Sequence, residues 1–178
     1  TVLFRHDKKF VNPCAFAVEV KATLSEAEVL SLCDQVLSSE IDRVGQKLRI
    51  DAIMISNASG DAGKLESAAK LVAAKAPEVP VIISTENPQA AEAAVKHFSG
   101  KKPIIYGANA SNAEAMAGIA KNSKAILGVV ASGLAELSDL TEKVKGLGVE
   151  DMVISPSWLV WSAVSSIWRS KASMLSMA

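Results

Sequence analysis

Aromatic side chains are scarce in this chain. Only 4% of its 178 residues are Phe, Trp or Tyr, whereas 49% are hydrophobic and much of that share is Ala. Small and aliphatic side chains must therefore build the core, the usage of α/β proteins whose helices pack closely on a sheet. Charge of one sign is missing too. Lys plus Arg and Asp plus Glu both number 19, so the basic excess that marks nucleic-acid binding is absent. No run reaches the ~20 apolar residues that span a bilayer. The opening stretch Thr1–Phe10 is charged and lacks the apolar core of a signal peptide. These absences point to the cytoplasm, with neither nucleic acid nor membrane as partner. Two cysteines, Cys14 and Cys33, cannot hold an iron–sulfur cluster, which takes four thiolates; they read as buried reduced thiols on a strand and a helix. With two histidines, no Ser–His–Asp order, metal-ligand cluster or reactive-thiol signature can be assembled.

What is present is a repeat. Strand-like segments at Cys14–Lys21, Ile50–Ser56, Val79–Ser84, Pro103–Gly107, Ala125–Ala131 and Met152–Ser155 alternate with helical stretches. Repeated βα units imply a parallel sheet whose chemistry lies at the carboxyl ends of the strands. Six strands fall short of the eight in a (β/α)₈ barrel, whose smallest members run to about 200 residues. The expected fold is α/β: a partial (β/α)₈ barrel of about six parallel strands, with an open doubly wound sheet as the alternative. A freestanding flavodoxin-like module also fits the length.

Local signals support the helices. Ser25 and Glu28 match a capping box. Val29, Leu32, Val36 and Ile41 follow at near-helical spacing, and Gly45 suits the left-handed residue that ends a helix. Asn87 and Pro88 suit an N-cap and first helical position. Ser111 and Glu114 match a second capping box, and Leu134, Leu137, Leu140 and Val144 form an inward stripe. All three tryptophans, Trp158, Trp161 and Trp168, lie beyond Pro156. The tail 156–178 reads as a cover for an open sheet edge, as a partner-binding helix, or, preferred for its abrupt change of composition, as a segment foreign to the domain that spans 1–155.

The carboxyl-end loops carry amides and hydroxyls: Asn57 to Asp61, Thr85 to Asn87, Asn109 to Asn112, and Ser132. Such groups orient a polar heterocycle or a partner surface. They are poor acid–base material without a His or a metal. Asn57 and Asp61 are the sharpest pair, because an amide and a carboxylate can read the edges of a pterin ring. The ordinary alternative is a turn at Asn57 and Gly60 with Asp61 capping the next helix. Gly60 and Gly63 beside that helix are a weak phosphate signal. His6 falls in a solvated charge run, and His97 near a helix end complements the dipole. Arg43, Lys47 and Arg49 cluster on the amino-terminal side of the sheet and suit a helix end or a neighbouring subunit.

Several blocks carry a resemblance: Thr1–Phe10 with Asn12 and Pro13, Arg43–Asp51, Asn57–Asp61, Lys102–Tyr106 and Gly148–Ile154. Over residues 1 to about 155 the chain resembles the barrel domain of the corrinoid iron–sulfur protein large subunit, the gamma subunit of the acetyl-CoA decarbonylase/synthase complex. The resemblance implies a (β/α)₈ barrel related to pterin-binding methyltransferases. It implies a full-length family member with a [4Fe–4S] module before the barrel and a corrinoid module after it. It further implies partners: a small corrinoid protein subunit in a barrel–barrel heterodimer, a pterin methyltransferase and acetyl-CoA synthase. The cluster's cysteine motif, the corrinoid module and the last barrel units have no counterpart in these residues. The expectation is thus a truncated scaffold barrel that carries no cofactor or metal and no catalytic residue, with Asn57, Asp61, Glu86, Asn87, Asn109, Asn112 and Ser132 as candidate rim contacts to a partner or a pterin-like ring. The rival is an autonomous pterin-binding methyltransferase-like enzyme, motivated by Asn57 and Asp61.

Overall fold

Apolar runs bounded by helix-capping residues fold here as parallel strands joined by helices. The computed structural model describes residues 14–156. In chain order it contains β1 (Ala17–Lys21), α1 (Glu26–Leu37), β2 (Ile41–Arg43), β3 (Gln46–Leu48), β4 (Ala52–Ser56), α2 (Ala62–Lys75), β5 (Val81–Ser84), α3 (Pro88–Val95), β6 (Ile104–Ala108), α4 (Ala113–Ser123), β7 (Ile126–Ala131), α5 (Leu134–Gly146) and β8 (Met152–Pro156). The tryptophan-bearing tail and His6 lie outside the described residues.

The main sheet has six strands in the order β1-β4-β5-β6-β7-β8, and every pairing in it is parallel. The order never reverses. A doubly wound or flavodoxin-like sheet reverses beside its first strand and carries helices on both faces. Here each helix packs on the next, α1 on α2 through to α4 on α5, so the helices form one layer. This is the winding of a barrel. Among the described residues β1 pairs only with β4 and β8 only with β7, so the sheet stays open.

The core lies between sheet and helices. Val20, Ile53, Ile55, Ile83, Ile105, Leu127 and Val129 are fully buried on the sheet side. Val29, Cys33, Leu65, Val72, Met116 and Val144 meet them from the helices. Small residues hold the layers close: Ala69, Ala90, Ala91 and Ala94 are also fully buried. Each large aliphatic side chain so buried contributes roughly 1.5–3 kcal/mol. The opposite sheet face carries two register rows. Glu19, Met54, Ile82, Ile104 and Ile126 form one; Lys21, Ser56, Ser84, Tyr106, Gly128 and Val153 form the other, nearer the carboxyl ends.

Five local expectations change. Helix α1 ends at Leu37 rather than near Val44, because the Ser38 and Ser39 hydroxyls donate to the carbonyls of Asp34 and Val36 at 2.8 and 2.7 Å and close its last turn. Ile41 therefore leaves the helix stripe. Gly45 sits with Val44 in the turn of a β2–β3 hairpin, both at positive φ. At α4 the N-cap is Asn112, and Glu114 pairs with Lys143 at 2.8 Å instead of closing a box on Ser111. Leu134 is 73% exposed, whereas Leu137, Leu140 and Val144 are buried as expected. Cys33 is buried in its helix as expected, whereas Cys14, expected to be buried on a strand, is exposed because β1 begins only at Ala17.

Candidate functional site

The loops after β4, β5, β6 and β7 meet at the carboxyl end of the sheet, and their side chains are spent largely on one another. Asp61 caps α2, its Oδ1 accepting from Gly63 N at 2.9 Å and Lys64 N at 3.4 Å. That carboxylate occupies the Gly63 amide and Gly60 N donates to the Asn57 carbonyl, so neither amide is left for a phosphate, and the Asp61 charge opposes an anion there. Asn87 caps α3 by accepting from Gln89 N at 3.0 Å, with Pro88 in the first turn. Asn109 Oδ1 accepts from the backbone and hydroxyl of Ser111 at 3.0 and 2.6 Å. Asn112 is a cross-brace. Its Nδ2 donates to the carbonyls of Glu86 and Gly107 at 2.8 and 3.1 Å, and its Oδ1 accepts from Asn109 N at 2.7 Å. Ser132 donates to Glu136 Oε2 through its hydroxyl at 2.6 Å and its N–H at 3.2 Å. Those two bonds, the hydroxyl first, hold the Glu136 carboxyl below the usual carboxylate range.

Asn57 is half-buried and reaches from the β4 loop toward β5, its Nδ2 donating to Thr85 Oγ1 at 3.4 Å. Glu86 is exposed, and among the described residues only its backbone carbonyl is engaged. Asn57 and Asp61 are therefore parts of one turn-and-cap loop: Gly60 N donates to Asn57 O at 3.3 Å, and the Ser59 hydroxyl joins Asn57 Oδ1 to Asp61 N at 3.5 and 3.4 Å.

Three polar contacts escaped sequence reasoning, although Thr85 itself was placed on the rim. Thr85 is buried and its hydroxyl accepts from Asn87 N and Asn57 Nδ2, tying two loops together. Ser56 donates to Glu19 Oε1 at 2.6 Å across β1 and β4. Tyr106, the sole tyrosine, donates its hydroxyl to Ser155 Oγ at 3.1 Å, spanning from β6 to β8. The ring crosses β7 at Gly128, where an added Cβ would stand 2.8 Å from Tyr106 Cδ2. Glu19 gave a signal, a charge inside the apolar run Ala17-Val18-Glu19-Val20; the others gave none without the strand register.

The remaining candidates are structural. His97 lies in the short turn Lys96–Phe98 after α3, its Nε2 3.5 Å from Glu66 Oε1 without hydrogen-bond alignment. Lys47 pairs with Glu40 at 2.6 Å. Burial pushes the Cys33 thiol above its usual pKa. A shallow depression of about 420 Å³ opens between the β1–α1 loop and α2, with Glu26, Asp61, Lys64 and Ser67 among its walls. Among the described residues no three His, Cys, Asp or Glu side chains are grouped to hold a metal. No described helix is long and apolar enough to cross a membrane.

Comparison with known proteins supplies what this geometry cannot. The profile of the CO dehydrogenase/acetyl-CoA synthase delta subunit family matches residues 1–162. The chain belongs to that family. Its relatives include the corrinoid/iron–sulfur protein large subunit of Moorella thermoacetica, 34% identical over 156 residues, which is 88% of this chain and 35% of that protein. The acetyl-CoA decarbonylase/synthase complex subunit gamma of Methanothermobacter thermautotrophicus is 30% identical over 87% of this chain and 34% of its own length. The corresponding gamma subunit of Methanocaldococcus jannaschii is 29% identical over 87% of this chain. The family profile carries the delta name, whereas these relatives are large or gamma subunits, in agreement with the resemblance carried by the residue blocks. The chain spans about a third of the length of these curated relatives.

Proposed function

We propose that this chain is the docking scaffold of a corrinoid methyl-carrier subunit, which moves a methyl group between a methyl-pterin and the nickel site of acetyl-CoA synthase in the cytoplasm. Its role is to position partners: the small corrinoid protein subunit, the pterin methyltransferase and acetyl-CoA synthase. In this reading residues 1–155 are the barrel unit, and 156–178 form a tail outside it. One observation carries the reading beyond family membership. At the sheet's carboxyl end Asp61, Asn87, Asn109, Asn112 and Ser132 are committed to caps and loop braces, so that among these described rim residues no acid and base are left paired for chemistry.

The thiol count falls short of one family cofactor. A [4Fe–4S] cluster takes four thiolates, and this chain has two, one of them sealed beneath α1. Chemistry in such an assembly belongs to the corrinoid, with protein supplying position and environment.

Titration of the chain with hydroxocobalamin, followed by its visible spectrum, is expected to give no stoichiometric shift. Mixing with the small corrinoid protein subunit is expected to give a stable complex in sedimentation velocity. Tight one-to-one corrinoid binding refutes the scaffold reading. Saturable binding of methyl-tetrahydropterin that disappears in Asn57→Ala supports the enzyme reading instead.

A further inference from the structure

We infer that residues 157–178 dock on the helix-free face of the sheet, with their apolar side against it. The inference goes beyond the scaffold reading and does not depend on it. The face is apolar and bare among the described residues. Met54, Ile82, Ile104 and Ile126 lie side by side in one register row, and each is only partly covered. None of them belongs to the core between sheet and helices, and the described helices all pack on that other side. Val153, opposite Gly128 in the second row, is 41% exposed.

The covalent connection selects the occupant. Strand β8 ends at Pro156, opposite Ala131, at the carboxyl end of the sheet. Residues 157–178 therefore leave from the border of the bare face. A segment tethered there meets the face at an effective concentration of about millimolar, which a free partner or a second copy must exceed. Its sequence is amphipathic. Trp161, Val164, Ile167, Trp168 and Leu175 recur at spacings of three, four and seven, the period of a helix. Ser162, Ser165, Ser166, Arg169 and Ser173 fall on the opposite side. Such a stripe needs an apolar surface to lie on, and the bare face offers one.

Length and charge fix the direction. The six strands span ~24 Å at the usual ~4.8 Å spacing. The helical period over 160–176 covers ~25 Å at the rise of a helix, enough to cross from β8 to β1. One charge, Lys171, interrupts the apolar side of the segment, in the half farther from β8. One carboxylate, Glu19 on β1, stands in the two register rows of the bare face. Ser56 donates to its Oε1 at 2.6 Å and leaves its charge in place. Among the described residues neither Lys21 nor any other cation pairs with it. A segment laid from β8 toward β1 brings Lys171 to Glu19.

The test uses the full chain. Trp fluorescence reads this segment alone, because no tryptophan lies elsewhere. In native buffer the emission is expected to be blue-shifted from that in urea and to be quenched several-fold more slowly by acrylamide. Ile82→Asp puts a charge in the middle of the bare face and is expected to shift the emission red and speed quenching, with circular dichroism unchanged. Leu134→Asp, at a position 73% exposed at the start of α5, is expected to leave the emission unmoved. Where Ile82→Asp unfolds the chain, the charge pair decides: Glu19→Lys and Lys171→Glu should each speed quenching, and the two together should restore the wild-type rate. Solvent-like emission in the wild type, or emission that ignores Ile82→Asp and both charge variants, overturns the inference. Emission that turns red on dilution assigns the cover to a second copy and overturns it. Emission that stays solvent-like until phosphatidylserine vesicles are added assigns the segment to a lipid surface and overturns it too.

Discussion

Replacing Gly128 by Ala tests the packing of the open sheet face. The new Cβ would lie 2.8 Å from Tyr106 Cδ2 and 3.0 Å from Tyr106 Cα. Side-chain rotation alone cannot relieve the second contact, so β6 and β7 must separate or the ring must leave with its hydroxyl. Overpacking of this kind costs about 1–3 kcal/mol, and loss of the 3.1 Å bond from Tyr106 to Ser155 adds about 1 kcal/mol. Against this, Ala in a strand gains about 0.5–1 kcal/mol over Gly. The balance is a loss of about 2 kcal/mol, or ~4–8 °C in Tm for a domain of this size. Circular dichroism melting reads it directly. The Ser155→Ala substitution should cost about 1 kcal/mol in the wild-type background and nearly nothing after Gly128→Ala. A Gly128→Ala protein that melts at or above the wild-type temperature refutes the packing described, since the clash is the sole source of the negative sign.

Asn112→Ala removes the bonds to Glu86 and Gly107 and is expected to cost about 2 kcal/mol in urea unfolding; hydrogen exchange should speed up in the loops after β5 and β6 while α1 is unchanged. With a thiol reagent under native conditions, exposed Cys14 should react at once and buried Cys33 only on unfolding. Because burial raises the folded Cys33 pKa, the unfolded thiol ionises first; stability should therefore decline as pH rises through the ordinary thiol range, and Cys33→Ala should flatten that decline. The Ser132 bonds lower the folded Glu136 pKa, so their contribution is present above the ordinary carboxylate pKa and is lost as pH falls through the lowered value. Glu136→Gln should accordingly lessen the acid sensitivity of melting below about pH 4.3 without changing its alkaline limb.

Much of the architecture was legible because each unit announces itself locally. The Ser25–Glu28 box, the Asp61 cap and the Asn87–Pro88 start all form as read. Five of the six strand starts shifted inward by one to three residues, since pairing with a neighbour decides where a strand begins, and the last starts at Met152 as read. Predicted to start at Cys14, β1 starts at Ala17 opposite Ala52 of β4. The hairpin was hidden because Ile41 and Gly45 continue a helical spacing. Two serine hydroxyls outcompeted that period at Ser38 and Ser39, and the Val44–Gly45 turn lacks the Asn or Asp that usually marks one. Of the rim residues, their place after the strands was readable; their commitment to one another was not.

Taken alone, the order of amino acids determined the βα repeat, its caps and the aliphatic, alanine-rich core, because these depend on periodicity and on contacts a few residues apart. It also carried the family, through blocks spread along the chain. Only the tertiary structure decided that the strands follow one another without reversal, that the sheet stays open between β1 and β8 among the described residues, and which polar groups meet. Ser56 and Glu19 are 37 residues apart, and Tyr106 and Ser155 are 49 apart. Whether such groups touch depends on strand register, and a one-residue slip would send every one of those side chains to the other face.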